Sequence, residues 1–373
     1  MNTGVRVEDY LRRLGLRAGG GPSVEELFGL QAAHVGRVPY ENLEIWLGRP
    51  TTVDPVESWQ RIVRGRGGYC FHLNGAFALL LSMLGYQVVR HFSGVQGGPD
   101  SPVGATGNHL ALTVTGLPSE ANPGGAWLVD AGLGDAIQEP LPLIEGVHEQ
   151  GPFRYGLRPS EAEPGGWRFE HDPRGSFKGM DFRPGSVEMD AFAAKHEHLS
   201  TSPDSGFVKV AAVQRRDAAG VDVLTGLVLK RVGSAFPAGL SPGAPDGHSD
   251  GHSDGHSNGH SNGHSNGHSA DHAPGSPDSA GHGIGRSPGE TSGPPAGPAT
   301  GPATSQSRTA TAAPVSTAAD GSITLDRRDD YFAALADVFG LTLDDVTREE
   351  KSRLWARLSA AHEKWLEERQ PPA

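Results

Sequence analysis

Residues 64–74 read Arg64-Gly65-Arg66-Gly67-Gly68-Tyr69-Cys70-Phe71-His72-Leu73-Asn74 and contain Cys70, the single cysteine of the chain. Apolar residues then recur at the three- and four-residue spacing of a buried helix, at Leu73, Phe77, Leu80, Leu81 and Leu84. This spacing predicts that Cys70 lies on the first helical turn, where unpaired N–H groups and partial positive charge favour a thiolate. A lone cysteine has two interpretations, a catalytic thiol or a small buried apolar residue.

Two short segments further along the chain read as strands. The sequence alternates from Asn108 to Val114, with His109 near the start, and a second run from Ala126 ends at Asp130. Glycine, proline and serine between them favour a hairpin. A Cys, a His and an Asp, each beside a structural transition, suggest a nucleophile, its base and the carboxylate that orients the base. The alternatives are a core or surface histidine and a turn-forming aspartate.

Several separated segments carry a family resemblance. In chain order they are Val38-Pro39-Tyr40-Glu41-Asn42-Leu43-Glu44, similar to "IPFENL"; Arg66-Gly67-Gly68-Tyr69-Cys70, which fits "RGGxC"; Leu128-Val129-Asp130-Ala131-Gly132-Leu133-Gly134, similar to "LVDVGFG"; and His198-Leu199-Ser200-Thr201-Ser202-Pro203-Asp204-Ser205-Gly206-Phe207, similar to "STSPxSxF". In these segments the chain resembles the arylamine N-acetyltransferases. The resemblance covers roughly residues 5–235 and 321–367.

The resemblance implies an acyltransferase with a Cys70–His109–Asp130 triad and ping-pong kinetics. The donor would be acetyl-CoA, as a co-substrate with no permanently bound cofactor, and the acceptors arylamines, arylhydroxylamines or hydrazines. Residues matched to ligand-contact positions are Tyr40, Phe71 and Val95 for the acceptor, and Thr106, Asn108, Gly132 and Phe207 for CoA.

The sequence departs from the family pattern at several positions near these motifs. Tyr40 stands where phenylalanine is commoner, and His72 stands where the family usually has an acidic or amide residue. Ala131 and Leu133 replace the commoner Val and Phe. Because a residue two positions after Cys70 points away from it on a helix, we interpret His72 as a packing residue rather than the base.

The expected fold class is α+β, with an N-terminal helical bundle, a small antiparallel β-barrel and a C-terminal α/β lid around a cysteine-protease- or transglutaminase-like core. The predicted domains are residues 1–86 with the nucleophile, 87–190 with the histidine and aspartate, and 191–234 joined to 321–373. Helices are expected at residues 187–196, 329–339 and 347–368, and a strand pair at 206–214 and 221–232.

Residues 235–320 are a low-complexity segment with few large apolar side chains, which predicts disorder. Eight of the seventeen histidines lie there, six of them in a Gly-His-Ser repeat. Weak binding of Ni²⁺, Zn²⁺ or Cu²⁺ by these imidazoles is one interpretation. A repeat-expanded linker is the favoured one, because no cysteine or well-placed aspartate completes a fixed coordination shell, so no metal site is assigned.

Composition excludes several classes of function. A formal charge of −12 argues against binding a nucleic acid backbone. No apolar run approaches membrane-spanning length, and the N-terminus lacks the apolar core of a signal peptide. One cysteine cannot form an internal disulfide, so we expect a cytoplasmic protein.

Three alternative functions remain at this point. A macrolactam-forming amide synthase of polyketide biosynthesis would carry the same triad. A cysteine hydrolase of the transglutaminase or papain kind uses the same residue types, although the segments around Tyr40 and Phe207 weigh against it. A metal-binding or interaction protein, working through the histidine tract on a catalytically idle scaffold, is the third.

Overall fold

The N-terminal part of the chain is mainly helical. The computed structural model describes residues 4–17, 19–234 and 321–369, so the predicted insert at 235–320 lies outside the described residues. The helices of this part are α1 (Val7–Arg13), α2 (Val24–Arg37), α3 (Leu43–Leu47), α4 (Pro55–Val63) and α5 (Cys70–Met83). The Ser23 hydroxyl accepts the Glu26 N–H at 3.1 Å to cap α2, and the Asp54 carboxylate caps α4 just before Pro55.

Helix α5 is the central helix of the largest hydrophobic cluster. It is apolar around most of its circumference, and Leu73, Phe77, Leu80 and Leu81 have no exposed surface. A helix with apolar residues on all sides is stable only when other elements surround it. The cluster therefore fixes the axis of α5, and with it the position of Cys70 at the N-terminus.

An eight-stranded antiparallel sheet packs beside α5. Its strands are β2 (Gln87–Gln96), β3 (His109–Thr115), β4 (Trp127–Val129), β5 (Leu141–Pro142), β6 (Gly146–Gln150), β7 (Phe153–Pro159), β8 (Trp167–Glu170) and β9 (Gly179–Ser186). Their order is β5-β4-β3-β2-β9-β8-β7-β6. Strands β3 and β4 form the predicted hairpin, with Leu112 opposite Val129. The sheet is the barrel-like layer expected from the alternating sequence, and the α+β fold class is confirmed.

A second, five-stranded sheet carries the C-terminal helices. It contains β1 (Tyr40–Glu41), β10 (Ala212–Arg216), β11 (Gly220–Thr225), β12 (Val228–Gly233) and β13 (Ile323–Thr324), in that order. Helices α8 (Arg328–Asp337) and α9 (Arg348–Glu368) pack on it through a separate hydrophobic cluster. Because β1 comes from the helical part, this sheet joins distant parts of the chain. The predicted domain boundaries stay a prediction.

Three local predictions from the sequence differ from the structure. Residues 206–214 are not one strand, because the Ser205 hydroxyl accepts the Phe207 N–H and caps helix α7 (Gly206–Lys209) before β10 begins. Residues 221–232 are two strands, because Gly226 adopts a φ of +57° and reverses the chain. The helix expected at 187–196 is a 3₁₀ turn at Met189–Phe192 that continues as α6 (Ala193–Thr201).

An ion cluster around the buried side chain of Arg66 joins the nucleophile turn to the C-terminal segment. The Arg66 side chain is 2% exposed; its guanidinium lies 2.7 Å from a Glu44 carboxylate oxygen and 3.2 Å from one of Asp345. Arg49 binds both Asp345 and Glu350, at 2.8 and 2.9 Å. Partial burial would raise the pKa of Asp345, but Arg66 and Arg49 lower it below its ordinary value. The cluster holds the turn before α9 against the residues that precede Cys70.

We expect Arg66→Met to lower the free energy of unfolding by about 3–5 kcal/mol, because it leaves Glu44 buried without its cationic partner. Urea denaturation followed by circular dichroism measures this change. Arg12→Met is the matched control, since the Arg12–Asp9 pair is largely exposed and such pairs contribute about 1 kcal/mol or less. Equal effects of the two substitutions would contradict a structural role for the cluster.

Candidate active site

Cys70 is the first residue of α5, as the sequence predicts. Tyr69 precedes it as the N-cap in an extended conformation, and Cys70 is 3% exposed. The Cys70 thiol lies 3.7 Å from the backbone carbonyl oxygen of Asn108. The turn before the helix requires glycine at position 68, since a Cβ there would come within 2.7 Å of the Cβ of His72. A buried thiol therefore lies at a helix N-terminus, against the start of β3.

His109 and Asp130 are in direct contact beside Cys70. His109 begins β3, Asp130 directly follows β4, and the hairpin brings His109 Nε2 within 2.8 Å of Asp130 Oδ2. The carboxylate accepts the Nε2 proton, which leaves Nδ1 as the nitrogen available to the Cys70 thiol. The structure thus brings together the three residues that were selected from the sequence.

The environment of His109 favours its protonated form. Burial acts to lower the pKa of His109, but the charge of Asp130, that of the Cys70 thiolate and hydrogen bonds to both raise it to about 10. Because the pKa of His109 is higher in the folded protein than in an unfolded chain, the protonated ring stabilises the fold. This stabilisation is complete below about pH 6.5. It is lost as the pH rises through about 10. At neutral pH the imidazolium can therefore pair with a thiolate.

Asn74 connects the nucleophile helix to the aspartate. Its Nδ2 donates to Asp130 Oδ1 at 2.7 Å and to the Leu110 carbonyl at 2.6 Å, and its Oδ1 accepts the Ala131 N–H at 2.8 Å. Asn74 lies four residues after Cys70, on the same face of α5. Its role was not predicted from the sequence, although this spacing was a usable signal.

Gly132 and Gln31 complete the surroundings of Asp130. The Gly132 N–H donates to Asp130 Oδ1 at 2.8 Å, and Gln31 Oε1 accepts the Asp130 N–H at 3.0 Å. A Cβ on Gly132 would come within 2.7 Å of the Cys70 Cα, so only glycine lets this loop approach the nucleophile. Gly132, predicted to contact CoA, therefore lies against Cys70 itself. Nothing in the sequence pointed to Gln31, which arrives from α2.

The residues predicted to contact the acceptor occupy different environments. Phe71 is fully buried, and its ring packs 5.0 Å from that of Phe192. Tyr40 and Val95 are half-buried, and the Tyr40 ring lies 6.4 Å from the ring of Phe207. Phe71 therefore belongs to the core in this structure, whereas Tyr40 and Val95 keep exposed surface. The contacts of all three residues with an acceptor stay predictions.

The remaining residues predicted to contact CoA lie along the approach to His109 and in α7. The Asn108 side chain is already bound to the β2 backbone, accepting the Val95 N–H at 2.7 Å and donating to its carbonyl at 3.0 Å. Thr106 Oγ1 is buried and has no hydrogen-bond partner in the part of the chain that the structure describes. The Phe207 ring packs 4.9 Å from Tyr69, next to the nucleophile.

His72 lies in a second buried cluster. Its Nδ1 accepts the Tyr69 N–H at 3.3 Å, and its ring lies 5.5 Å from that of His196. The Tyr69 hydroxyl donates to His196 Nδ1 at 2.6 Å, since His196 Nε2 donates to the Thr51 carbonyl. Burial, with Arg61 and His196 nearby, lowers the pKa of His72 well below 6.5. A neutral His72 therefore packs against Tyr69, while His109 holds the contact with Asp130.

Comparison with known proteins identifies the family. The N-acetyltransferase family model matches residues 23–235, more than half of the chain. This chain belongs to the arylamine N-acetyltransferase family. The arylamine N-acetyltransferase pineal gland isozyme NAT-3 of Gallus gallus is 28% identical over 232 residues, covering 57% of this chain and 77% of that protein.

Two further relatives bear on the function of this N-acetyltransferase family member. Proansamycin X synthase of Amycolatopsis mediterranei is 33% identical over 149 residues, which cover 39% of this chain and 55% of that protein. The Mycobacterium marinum arylamine N-acetyltransferase in complex with CoA superposes with a TM-score of 0.64 at 20% identity, covering 95% of this chain and 99% of that one. The structural likeness supports the fold.

Two kinds of feature are absent from the described residues. Across residues 4–17, 19–234 and 321–369, no helix combines the length and hydrophobicity needed to cross a membrane. Within those ranges, no group of three or more His, Cys, Asp or Glu side chains could hold a metal ion. The histidine tract in which the sequence suggested weak metal binding lies outside them.

We expect Asp130→Asn to slow the alkylation of Cys70 by iodoacetamide at pH 7 by about tenfold or more, because the thiolate is the species that reacts. The amide removes the charge that keeps His109 protonated, and a neutral imidazole no longer balances the charge on sulfur. Mass spectrometry of quenched samples gives the rate.

Asp222→Asn is the control, because Asp222 is an equally buried carboxylate that binds Arg215 and Arg231 in the five-stranded sheet. It should leave the alkylation rate unchanged. A wild-type rate in folded Asp130→Asn would contradict the pairing of the imidazolium with the thiolate.

Proposed function

We propose that this protein is an acetyl-CoA-dependent N-acetyltransferase that acetylates arylamines, arylhydroxylamines or hydrazines through an acetyl-Cys70 thioester. One observation carries the proposal: a thiol at a helix N-terminus lies beside a buried His109–Asp130 pair in a member of this family. The CoA complex of the M. marinum relative supports the choice of donor. A reducing cytoplasm, which preserves a free thiol, is part of the same proposal.

The first half-reaction would load the enzyme. The Cys70 thiolate attacks the thioester carbonyl of acetyl-CoA, forming a carbon–sulfur bond, and backbone N–H groups at the start of α5 are available to the oxyanion. The bond to the CoA sulfur then breaks, and the His109 imidazolium supplies the proton that the CoA thiolate needs. Exchange between two thioesters is nearly isoenergetic, so the loading is reversible.

The second half-reaction would transfer the acetyl group. The amine nitrogen attacks the carbonyl of acetyl-Cys70, and His109 accepts the proton that the nitrogen loses. The carbon–sulfur bond breaks, which restores the thiolate beside the imidazolium. Asp130 holds Nε2 throughout, so that Nδ1 stays aimed at the reacting atoms. Since CoA leaves before the amine reacts, the kinetics should be ping-pong.

An amide synthase is the second candidate. The 33% identity to the A. mediterranei proansamycin X synthase favours it. In that reaction a carrier-bound polyketide acyl group would replace the acetyl group, and an amine on the same molecule would attack the Cys70 thioester. The same three residues serve both reactions, so the acyl donor distinguishes them.

Intact-protein mass spectrometry after mixing with acetyl-CoA, and again after adding an arylamine, tests the proposal. We expect one added acetyl group on wild-type protein, none on Cys70→Ala, and its loss when the amine is added with formation of the amide. Asp222→Asn is a control for general damage to the fold, since this buried carboxylate lies in the five-stranded sheet and the variant keeps all three reacting side chains and every predicted ligand contact.

Absence of acetylation with Cys70 still rapidly alkylated would contradict acetyl-CoA as donor. Loading by a long-chain acyl thioester in the same experiment would then favour the amide synthase. Acetylation that persists in Cys70→Ala would overturn the proposed nucleophile.

A further inference from the structure

Tyr40 and Gln214 form a cross-strand pair at the edge of the candidate site. They are directly opposite each other in the antiparallel β1–β10 pair, so their side chains leave the same face of the sheet. Both converge on Gly134, where an added Cβ would meet the Gln214 amide and lie 3.5 Å from the Tyr40 ring. Gly134 has a φ of +68°, so glycine is the residue that suits both its conformation and this contact.

The polar groups of this pair are free. In the part of the chain that the structure describes, neither the Tyr40 hydroxyl nor the Gln214 side-chain amide has a hydrogen-bond partner, and both residues are half-buried. Burial of the ring, together with Cys70, Tyr69 and Asp135, raises the pKa of Tyr40 well above 10. The hydroxyl therefore keeps its proton and is available as a donor.

The pair contacts two segments of the chain that border Cys70, the turn before α5 and the glycine loop after β4. Tyr40 forms a bridge with Gly68, two residues before Cys70, and the Glu41 N–H donates to the Gly68 carbonyl at 2.9 Å. Gly134 lies two residues after Gly132, the glycine that lies against the Cys70 backbone. The Phe207 ring stands edge-on to Tyr40. An aromatic ring whose amine reaches acetyl-Cys70 would therefore lie next to this pair.

We propose that the Tyr40 hydroxyl and the Gln214 amide bind a neutral polar substituent on the acceptor ring, so that the preferred acceptors are aromatic amines carrying a hydroxyl or carboxamide group opposite the amine. This inference rests on the proposed acetyltransferase function. Nearby Asp135 and the net charge of −12 disfavour an anionic substituent. Both side chains can donate and accept, which suits a hydroxyl or an amide.

The test compares two acceptors of similar size and amine basicity, 4-aminophenol and 4-methylaniline, both with acetyl-CoA as donor. The readout is the ratio of their kcat/KM values in wild type, Tyr40→Phe and Gln214→Leu. Tyr40→Phe keeps the ring and installs the residue commoner in the family, so the fold is preserved. Tyr86→Phe is the matched control, because the Tyr86 hydroxyl bonds Ser23 beyond the other end of α5.

We expect wild type to prefer 4-aminophenol, and each of the two variants to reduce the ratio by about twofold to tenfold, the range of one neutral hydrogen bond. When 4-aminophenol is the acceptor, the loss should appear mainly as a higher Michaelis constant, with the rate of Cys70 acetylation unchanged. Tyr86→Phe should keep the wild-type ratio.

An unchanged ratio in both variants, or an equal loss on both acceptors, would overturn the inference while leaving the proposed function intact. Failure of wild-type protein to become acetylated would instead overturn the proposed function, and the inference with it. The acetylation measurement therefore separates the two failures.

Discussion

The carboxylate of Asp130 is the constraint on which the site depends. It is buried, and its two oxygens accept hydrogen bonds from His109 Nε2, from Asn74 Nδ2 and from the Gly132 N–H. These three donors come from β3, from α5 and from the loop after β4. A buried carboxylate requires such partners, and the partners fix the separation of the elements that carry them. Asp130 thereby fixes the relative positions of three elements, which are His109, the nucleophile helix and the glycine loop.

The nucleophile turn is also held from the opposite side. Arg66 connects it to Glu44 and to Asp345, so the C-terminal segment before α9 contacts residues only a few positions from Cys70. Strand β1 pairs with β10 in the same region, which brings Phe207 and Gln214 to the edge of the site. The C-terminal helices therefore support the chemistry through packing and charge, without supplying a reacting group.

The sequence predicted the features that depend on local patterns. Helix α5 follows from its apolar spacing, and the β3–β4 hairpin follows from alternation around a turn-rich linker, so Cys70, His109 and Asp130 could all be placed. Features that depend on distant contacts were missed. Gln31 reaches Asp130 from α2, and helix α7 replaces the first part of the strand predicted at 206–214, because the Ser205 hydroxyl caps it. The core position of Phe71 follows from packing against Phe192, which no local pattern records.

The central claim is that Asp130 keeps a buried His109 protonated beside Cys70. Nitrogen-15 NMR of labelled protein, with His109→Gln to assign the resonance, measures the charge and tautomer of this imidazole directly as a function of pH. We expect His109 to be doubly protonated at pH 7 and to lose its proton near pH 10. A neutral ring at pH 7 that titrates near the ordinary histidine value of about 6.5 would contradict it.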